Sequence, residues 1–280
     1  MKIGLSLGAG SARGWAHVGV IQALNEAGIA VDMVNGSSIG AVVGGGYSLY
    51  LDTDKMISIA KEVVRTVNVS YFNPFRHSLE SQSFLRNWLV NAICSISAMR
   101  SSALSHRNNI KALKLLFGDH EFHDTQIPFS SVAVDLKSRE IVVISKGKLI
   151  DGILASISIP GIFPPVKRTG QLLVDGGVLA NVPARELRRQ GGEFIIASIL
   201  GTEVRKAYHN GLDILHRVDS LKFQMLSQWE LDEADFSIRI DIPDFDSSRF
   251  DNYEIAIAHG YEATKRALPD LKRRLAEAGA

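Results

Sequence analysis

Between a short apolar run, Val31-Asp32-Met33-Val34-Asn35, and a run of small apolar residues from Ala41 to Tyr50 lies Gly36-Ser37-Ser38-Ile39-Gly40. The first run reads as a buried strand and the second as the start of a tightly packed helix. A strand that turns into a helix around a serine, with glycines two residues to either side, is the pattern of a nucleophile elbow. The glycines let neighbouring backbone approach where a Cβ would clash. Glycine and serine also punctuate ordinary loops, so the pattern alone leaves a plain turn open.

Two other segments carry matching chemistry. Lys2 to Leu7 reads as a buried strand, followed by Gly8-Ala9-Gly10-Ser11-Ala12-Arg13-Gly14 and an apolar-periodic run through Trp15, Val18, Ile21 and Leu24. A glycine-rich loop opening a helix presents backbone N–H groups at the positive end of the helix dipole, fit for a phosphate or an oxyanion. Gly8, Gly10 and Gly14 also form a loose dinucleotide-type spacing, with Asp32 near the distance of a ribose contact. Asp32 precedes Met33-Val34, however, which puts it at the start of a strand, and a serine elbow directly after that strand is foreign to a dinucleotide fold. The second segment is Leu172-Leu173-Val174-Asp175-Gly176-Gly177, a strand that ends on an aspartate. Taken alone it is equally a common turn; beside the elbow, Asp175 is the natural partner of Ser38.

Together these blocks resemble the patatin-like phospholipases, in particular short bacterial members and the catalytic part of neuropathy target esterase. The resemblance is carried by Leu7 to Gly14 with Ala16-His17-x-Gly19-Val20, by Gly36 to Ala41, by Ala155 to Pro165, and by Asp175-Gly176-Gly177 with Asn181-Val182-Pro183. It covers residues 1–200 and matches only loosely over 65–120 and the last 80 residues. It implies a Ser38–Asp175 dyad in place of a triad. Ser38 attacks an ester carbonyl, and Asp175 accepts its proton and later activates water. The N–H groups of Gly10 and Ser11 hold the oxyanion, Arg13 braces the loop, and Gly8, Gly14, Gly36, Gly40, Gly176 and Gly177 support the motifs. The implied substrate is a lipid ester of the phospholipase A or lysophospholipase type, met at a membrane surface or carried in solution. The family's loop is usually an unbroken glycine run, which Ala9 and Ser11 interrupt. Backbone N–H groups survive that change unless either position needs φ > 0.

An ordinary triad would need His209, His216 or His259 after Asp175, but the eight histidines share no motif and the elbow comes early, after the second strand. All eight therefore read as solvated or structural. An acyltransferase using the same acyl-enzyme, or a non-catalytic scaffold of the same fold, shares every motif named above.

Predicted strands cover 3–7, 31–35, 131–136, 140–145, 172–175, 193–200 and 236–241. Predicted helices cover 14–27, 39–51, 53–66, 150–157, 183–190, 211–232, 253–267 and 269–278. This alternation predicts a three-layer α/β/α fold with a mainly parallel sheet, as a single domain over 1–280. Ser38 and Asp175 then sit at carboxyl ends of strands, where open α/β sheets gather their sites. The segment 67–124 breaks the alternation. Phe84, Leu85, Trp88 and Leu89 have helical spacing there, which fits a helix packed on the core or a lid over the site. Lys167, Arg168, Arg185, Arg188 and Arg189 flank the Asp175 loop, as a solvated face or as a head-group contact.

At 46% hydrophobic residues the chain can bury a substantial core, and a net charge of +1 gives no electrostatic case for nucleic acid. Cys94, the single cysteine, fits a reducing compartment, and no Cys/His cluster has metal-ligand spacing, so neither metal nor cofactor is expected. The amino terminus does not read as a signal peptide, and apolar runs fall short of the roughly 20 residues that span a bilayer. A cytoplasmic protein, peripheral to membranes when it meets lipid, is the expectation; oligomeric state is not legible.

Overall fold

The computed structural model describes residues 1–66, 102, 104–201, 211–246 and 249–279. The chain opens with β1 (Ile3–Leu7), α1 (Ala16–Glu26), β2 (Met33–Ser37), α2 (Ile39–Tyr50) and α3 (Thr53–Thr66). It continues through α4 (Arg107–Phe117), the antiparallel pair β3 (Phe129–Asp135) and β4 (Glu140–Ile144), and α5 (Leu149–Ser156). Then come the hairpin β5 (Val166–Arg168) and β6 (Gln171–Asp175), α6 (Ala184–Arg189), β7 (Phe194–Leu200), α7 (Gly211–Leu231), β8 (Phe236–Ile240) and α8 (Tyr253–Gly279). The predicted lid residues Phe84, Leu85, Trp88 and Leu89 lie outside the described residues, as do Cys94 and His209.

The strands form one mixed sheet with helices on both faces. β3, β2, β1, β7 and β8 run parallel, and β4, β5 and β6 run antiparallel to their neighbours. β1, β2, β3 and β7 are buried almost throughout, as strands covered on both faces must be. Alternation divides their side chains between two cores. Val34 and Ile196 join the large core beneath α1, α2 and α8, while Met33 and Ile195 pack on Ala184 and Leu187 of α6. Fully burying each such aliphatic side chain contributes about 1.5–3 kcal/mol.

One detail of the register builds the site. Ser131 and Val132 of β3 pair with both β2 and β4, whereas Ala133 to Asp135 pair with both β4 and β6. β2 and β6 therefore share the same edge of β3, one after the other. β2 is parallel to β3 and ends with Ser37 opposite Val132; β6 is antiparallel and ends with Asp175 opposite Ala133. The carboxyl ends of β2 and β6 thus meet head-on at adjacent rungs.

Elsewhere the structure corrects the sequence reading. The predicted helices 253–267 and 269–278 are one helix, with Pro269 inside it. Proline removes a hydrogen bond and crowds the preceding turn, but Leu268 and Leu271 on either side are buried and hold both halves in line. Within 67–124, where only the Phe84–Leu89 spacing suggested a helix, α4 covers Arg107–Phe117. β5 was not predicted, since three residues give no readable alternation.

Candidate active site

β2 delivers Ser38 onto the first turn of α2 with φ +53° and ψ −123°, a left-handed backbone that residues other than glycine avoid. Such strain costs on the order of 1–3 kcal/mol and persists only where the surroundings impose it. Here the surroundings do so through close packing. A Cβ on Gly36 would strike the carbonyl of Gly40, and one on Gly40 would strike the carbonyl of Leu7. The Ser38 N–H donates to Ser156 Oγ at 2.9 Å, and Ser156 in turn donates to the Val132 carbonyl at 2.6 Å.

Ser38 Oγ donates to Asp175 Oδ2 at 2.7 Å. Asp175 Oδ1 accepts from the Gly177 N–H at 2.8 Å, and the Asp175 N–H donates to the Ser158 carbonyl at 3.0 Å. Both side chains are buried, Ser38 at 7% exposure and Asp175 at 6%. Burial pushes the Asp175 carboxyl up to about 6, against the opposing pull of the bonds from Ser38 and Gly177. The site thus contains a hydroxyl aimed at a carboxylate whose basicity lies far closer to neutrality than that of a solvated aspartate.

The glycine-rich loop approaches from the amino end of α1, which starts as a 3-10 turn over Ser11–Trp15. The Gly8 N–H donates to the Ser198 carbonyl at 3.0 Å and the Ala9 N–H to the Asn181 carbonyl at 2.9 Å. Gly10 and Ser11 follow, and Ser11 shares a cavity with Ser38. Ser11 holds φ +53°, so one of the two departures from the glycine run does sit on left-handed backbone. Contrary to the sequence expectation the serine adopts it, at a strain cost on the order of 1–3 kcal/mol, and keeps its N–H, while Ala9 does not need it. Arg13 donates to the carbonyls of Gly10 and Gly201. A Cβ on Gly14 would collide with the Ile39 side chain and one on Gly176 with the Val132 carbonyl, so Gly14 makes room for Ile39 and Gly176 marks a close backbone approach.

A cavity of about 380 Å³ adjoins Ser38, lined mainly by apolar side chains that include Trp15, Ile39, Val42, Leu113 and Phe163. A Cβ placed on Gly177 would lie 3.6 Å from the Phe223 ring of α7, so this helix runs close to the Asp175 loop. Among the described residues no helix is long and apolar enough to cross a membrane.

Several residues weighed in the sequence stand elsewhere. Asp32 accepts from the Ile3 N–H at 2.7 Å, at the end of β1 remote from the glycine loop, and faces no ribose site. His120 and His123 pair with Glu121 and Asp124 at the surface, and His106 contacts the Pro164 carbonyl at 2.8 Å. Arg185 and Arg188 reach Glu233 and Asp235 at 3.3 and 2.7 Å, tying α6 to the segment before β8. The sequence reading missed Ser156 and Ser158, which hold the backbone on both sides of the Ser38–Asp175 pair. The block Ala155 to Pro165 was their only signal.

A three-layer α/β/α sheet thus carries a strained serine at a strand end, an adjacent aspartate and a glycine-rich loop. Residues 5–188 match the model of the patatin-like phospholipases, and the chain belongs to that family. A patatin-like phospholipase domain-containing protein of Caenorhabditis elegans is 37% identical over 202 residues, 71% of this chain and 14% of its own length. A lysophospholipase of Meyerozyma guilliermondii is 27% identical over 264 residues, 94% of this chain and 16% of its own. The chain thus spans less than a fifth of each of these two relatives. The crystal structure of VipD from Legionella pneumophila shares the fold, with TM-score 0.50 and 16% identity over 96% of this chain and 66% of VipD.

Proposed function

We propose that the chain is a serine esterase of lipid carboxylic esters, of the phospholipase A or lysophospholipase type, working through Ser38 and Asp175. The observation that carries this reading is the 2.7 Å bond from Ser38 Oγ to a buried Asp175 whose carboxyl is pushed up to about 6. Family membership and a lysophospholipase among the relatives supply the substrate class.

In the forward half, Ser38 Oγ bonds to the ester carbonyl carbon as its proton passes to Asp175 Oδ2. The N–H groups of Gly10 and Ser11 stabilise the resulting oxyanion. Collapse breaks the bond to the alcohol, which takes the proton from Asp175 and leaves an acyl group on Ser38. Water then attacks that acyl group, giving its proton to Asp175, and the released Ser38 Oγ recovers it. The apolar cavity beside Ser38 is suited to an acyl chain.

Ser38→Ala should lower hydrolysis of lysophosphatidylcholine at least 10³-fold with the melting temperature retained. Undiminished turnover by that variant would overturn the reading.

The lipid is met at a membrane or micelle surface. Supporting this, Ile214, Val218, Leu221, Met225 and Trp229 stand exposed at helical spacing along α7, the helix that carries Phe223 to the Asp175 loop. Replacing Met225 and Trp229 with serine should cut activity on vesicles several-fold and leave hydrolysis of a monomeric soluble ester intact. Equal losses on both substrates would count against it.

A further inference from the structure

His17 is wholly buried in α1, and its ring touches the glycine loop and not the Ser38–Asp175 pair. Its Nε2 lies 2.8 Å from the Gly8 carbonyl oxygen, and its Nδ1 lies 2.8 Å from Ser198 Oγ. A carbonyl only accepts, so Nε2 carries the proton, and the bare Nδ1 accepts from the Ser198 hydroxyl. Burial holds this ring neutral, lowering it to about 4. One buried imidazole in a single tautomer therefore joins α1, β7 and the loop.

The peptide between Gly8 and Ala9 is gripped at both ends. His17 holds its carbonyl, and the Asn181 carbonyl holds its N–H at 2.9 Å. Because peptide units are planar, fixing this one sets the direction from which the chain enters Gly10 and Ser11. The same Gly8 carbonyl is where a Cβ on Gly40 would press, at 2.8 Å, so it lies against the first turn of the Ser38 helix. The His17 bond thus fixes the spacing between the loop and the nucleophile's helix.

We propose that His17 is a positioning residue for ester hydrolysis: its Nε2–H locks the Gly8–Ala9 peptide and thereby aims the oxyanion-binding N–H groups at the carbonyl attacked by Ser38. This rests on the Ser38–Asp175 reading. The role predicts a loss in kcat with KM unchanged, because the oxyanion exists only after substrate is bound.

Two substitutions separate positioning from packing. A glutamine amide extends to where Nε2 lies and can still donate to Gly8; an asparagine amide reaches only the Nδ1 position. With a soluble short-chain aryl ester, His17→Asn should lower kcat about 10²–10³-fold, the size of a lost oxyanion donor, at constant KM. His17→Gln should return to within about tenfold of the wild type. Equal loss in both folded variants, or no loss in either, would overturn the proposal. Should His17→Asn fail to fold, Ser198→Ala replaces it: freeing the ring should lower kcat about tenfold, and an unchanged kcat would overturn the proposal. Fluorophosphonate labelling of Ser38 is run alongside. A folded wild type that takes no label overturns the Ser38–Asp175 reading and this one with it. A labelled wild type with unaffected His17 variants overturns this one alone.

Discussion

Asp175→Asn should abolish ester hydrolysis and raise the melting temperature in the same variant. Asparagine keeps the shape of the side chain but cannot take the Ser38 proton, so turnover should fall about 10³–10⁴-fold. The stability gain follows from the raised carboxyl. A group whose pKa is 3.8 when solvated and about 6 in the fold contributes stability below 3.8 and loses it as pH rises through 6. At neutral pH the buried carboxylate therefore costs up to about 3 kcal/mol, at 1.36 kcal/mol per pH unit. Part of that is offset because asparagine forms weaker bonds to its neighbours than the carboxylate does. A net gain of about 1–2 kcal/mol remains, a rise of about 2–6 °C for a chain of this size. The difference from the wild type should close as pH falls towards 4. Thermal melts of both proteins between pH 4 and 8 check this; a variant less stable than the wild type at pH 7 would contradict it. On the proposed mechanism the same ionisation should set the rate: wild-type kcat/KM should climb about tenfold per pH unit below 6 and level above it.

Glu230→Gln should remove most of the alkaline sensitivity of the fold. Glu230 lies on the inner face of α7 and accepts from the Val182 N–H at 2.9 Å. Burial, with a smaller push from the nearby Glu186 charge, raises its carboxyl from 4.5 to about 8. The sign is that of Asp175: stability is complete below 4.5 and is lost as pH rises through 8. Between pH 6 and 8 the wild type should lose about 2 kcal/mol through this group. Glutamine keeps an oxygen for the Val182 N–H and has no proton to lose, so its melting curve should stay flat over that range. Parallel slopes for the two proteins would show that Glu230 is not responsible. The group matters to the site because Asn181, next to Val182, holds the Ala9 N–H of the glycine loop.

How much of this was legible in the sequence differs from element to element. β1 matched its predicted span, and β7 began one residue late; the dense apolar run of β7, closed by Gly201, admits few alternatives. β2 was placed two residues early: its real span, Met33–Ser37, carries Gly36 and Ser37, which propensity assigns to a turn. Pairing on both sides overrides that preference and runs the strand up to Ser38. Ser38 and Asp175 were each singled out from local pattern. That β2 and β6 meet along one edge of β3 depends on a register between residues far apart in the chain, which no local pattern encodes. His17 was quoted within a motif yet read as solvated or structural, since its partner Ser198 lies 181 positions away. Pro269 misled the reading in the opposite direction, because a local rule was outweighed by burial of its neighbours.

Intact-mass analysis after fluorophosphonate treatment tests the central claim most directly, applied to the wild type, Ser38→Ala and Asp175→Asn. The account predicts one adduct on the wild type, none on Ser38→Ala, and labelling slowed at least 10²-fold in Asp175→Asn. An adduct that persists in Ser38→Ala, or a folded wild type that takes none, would contradict it.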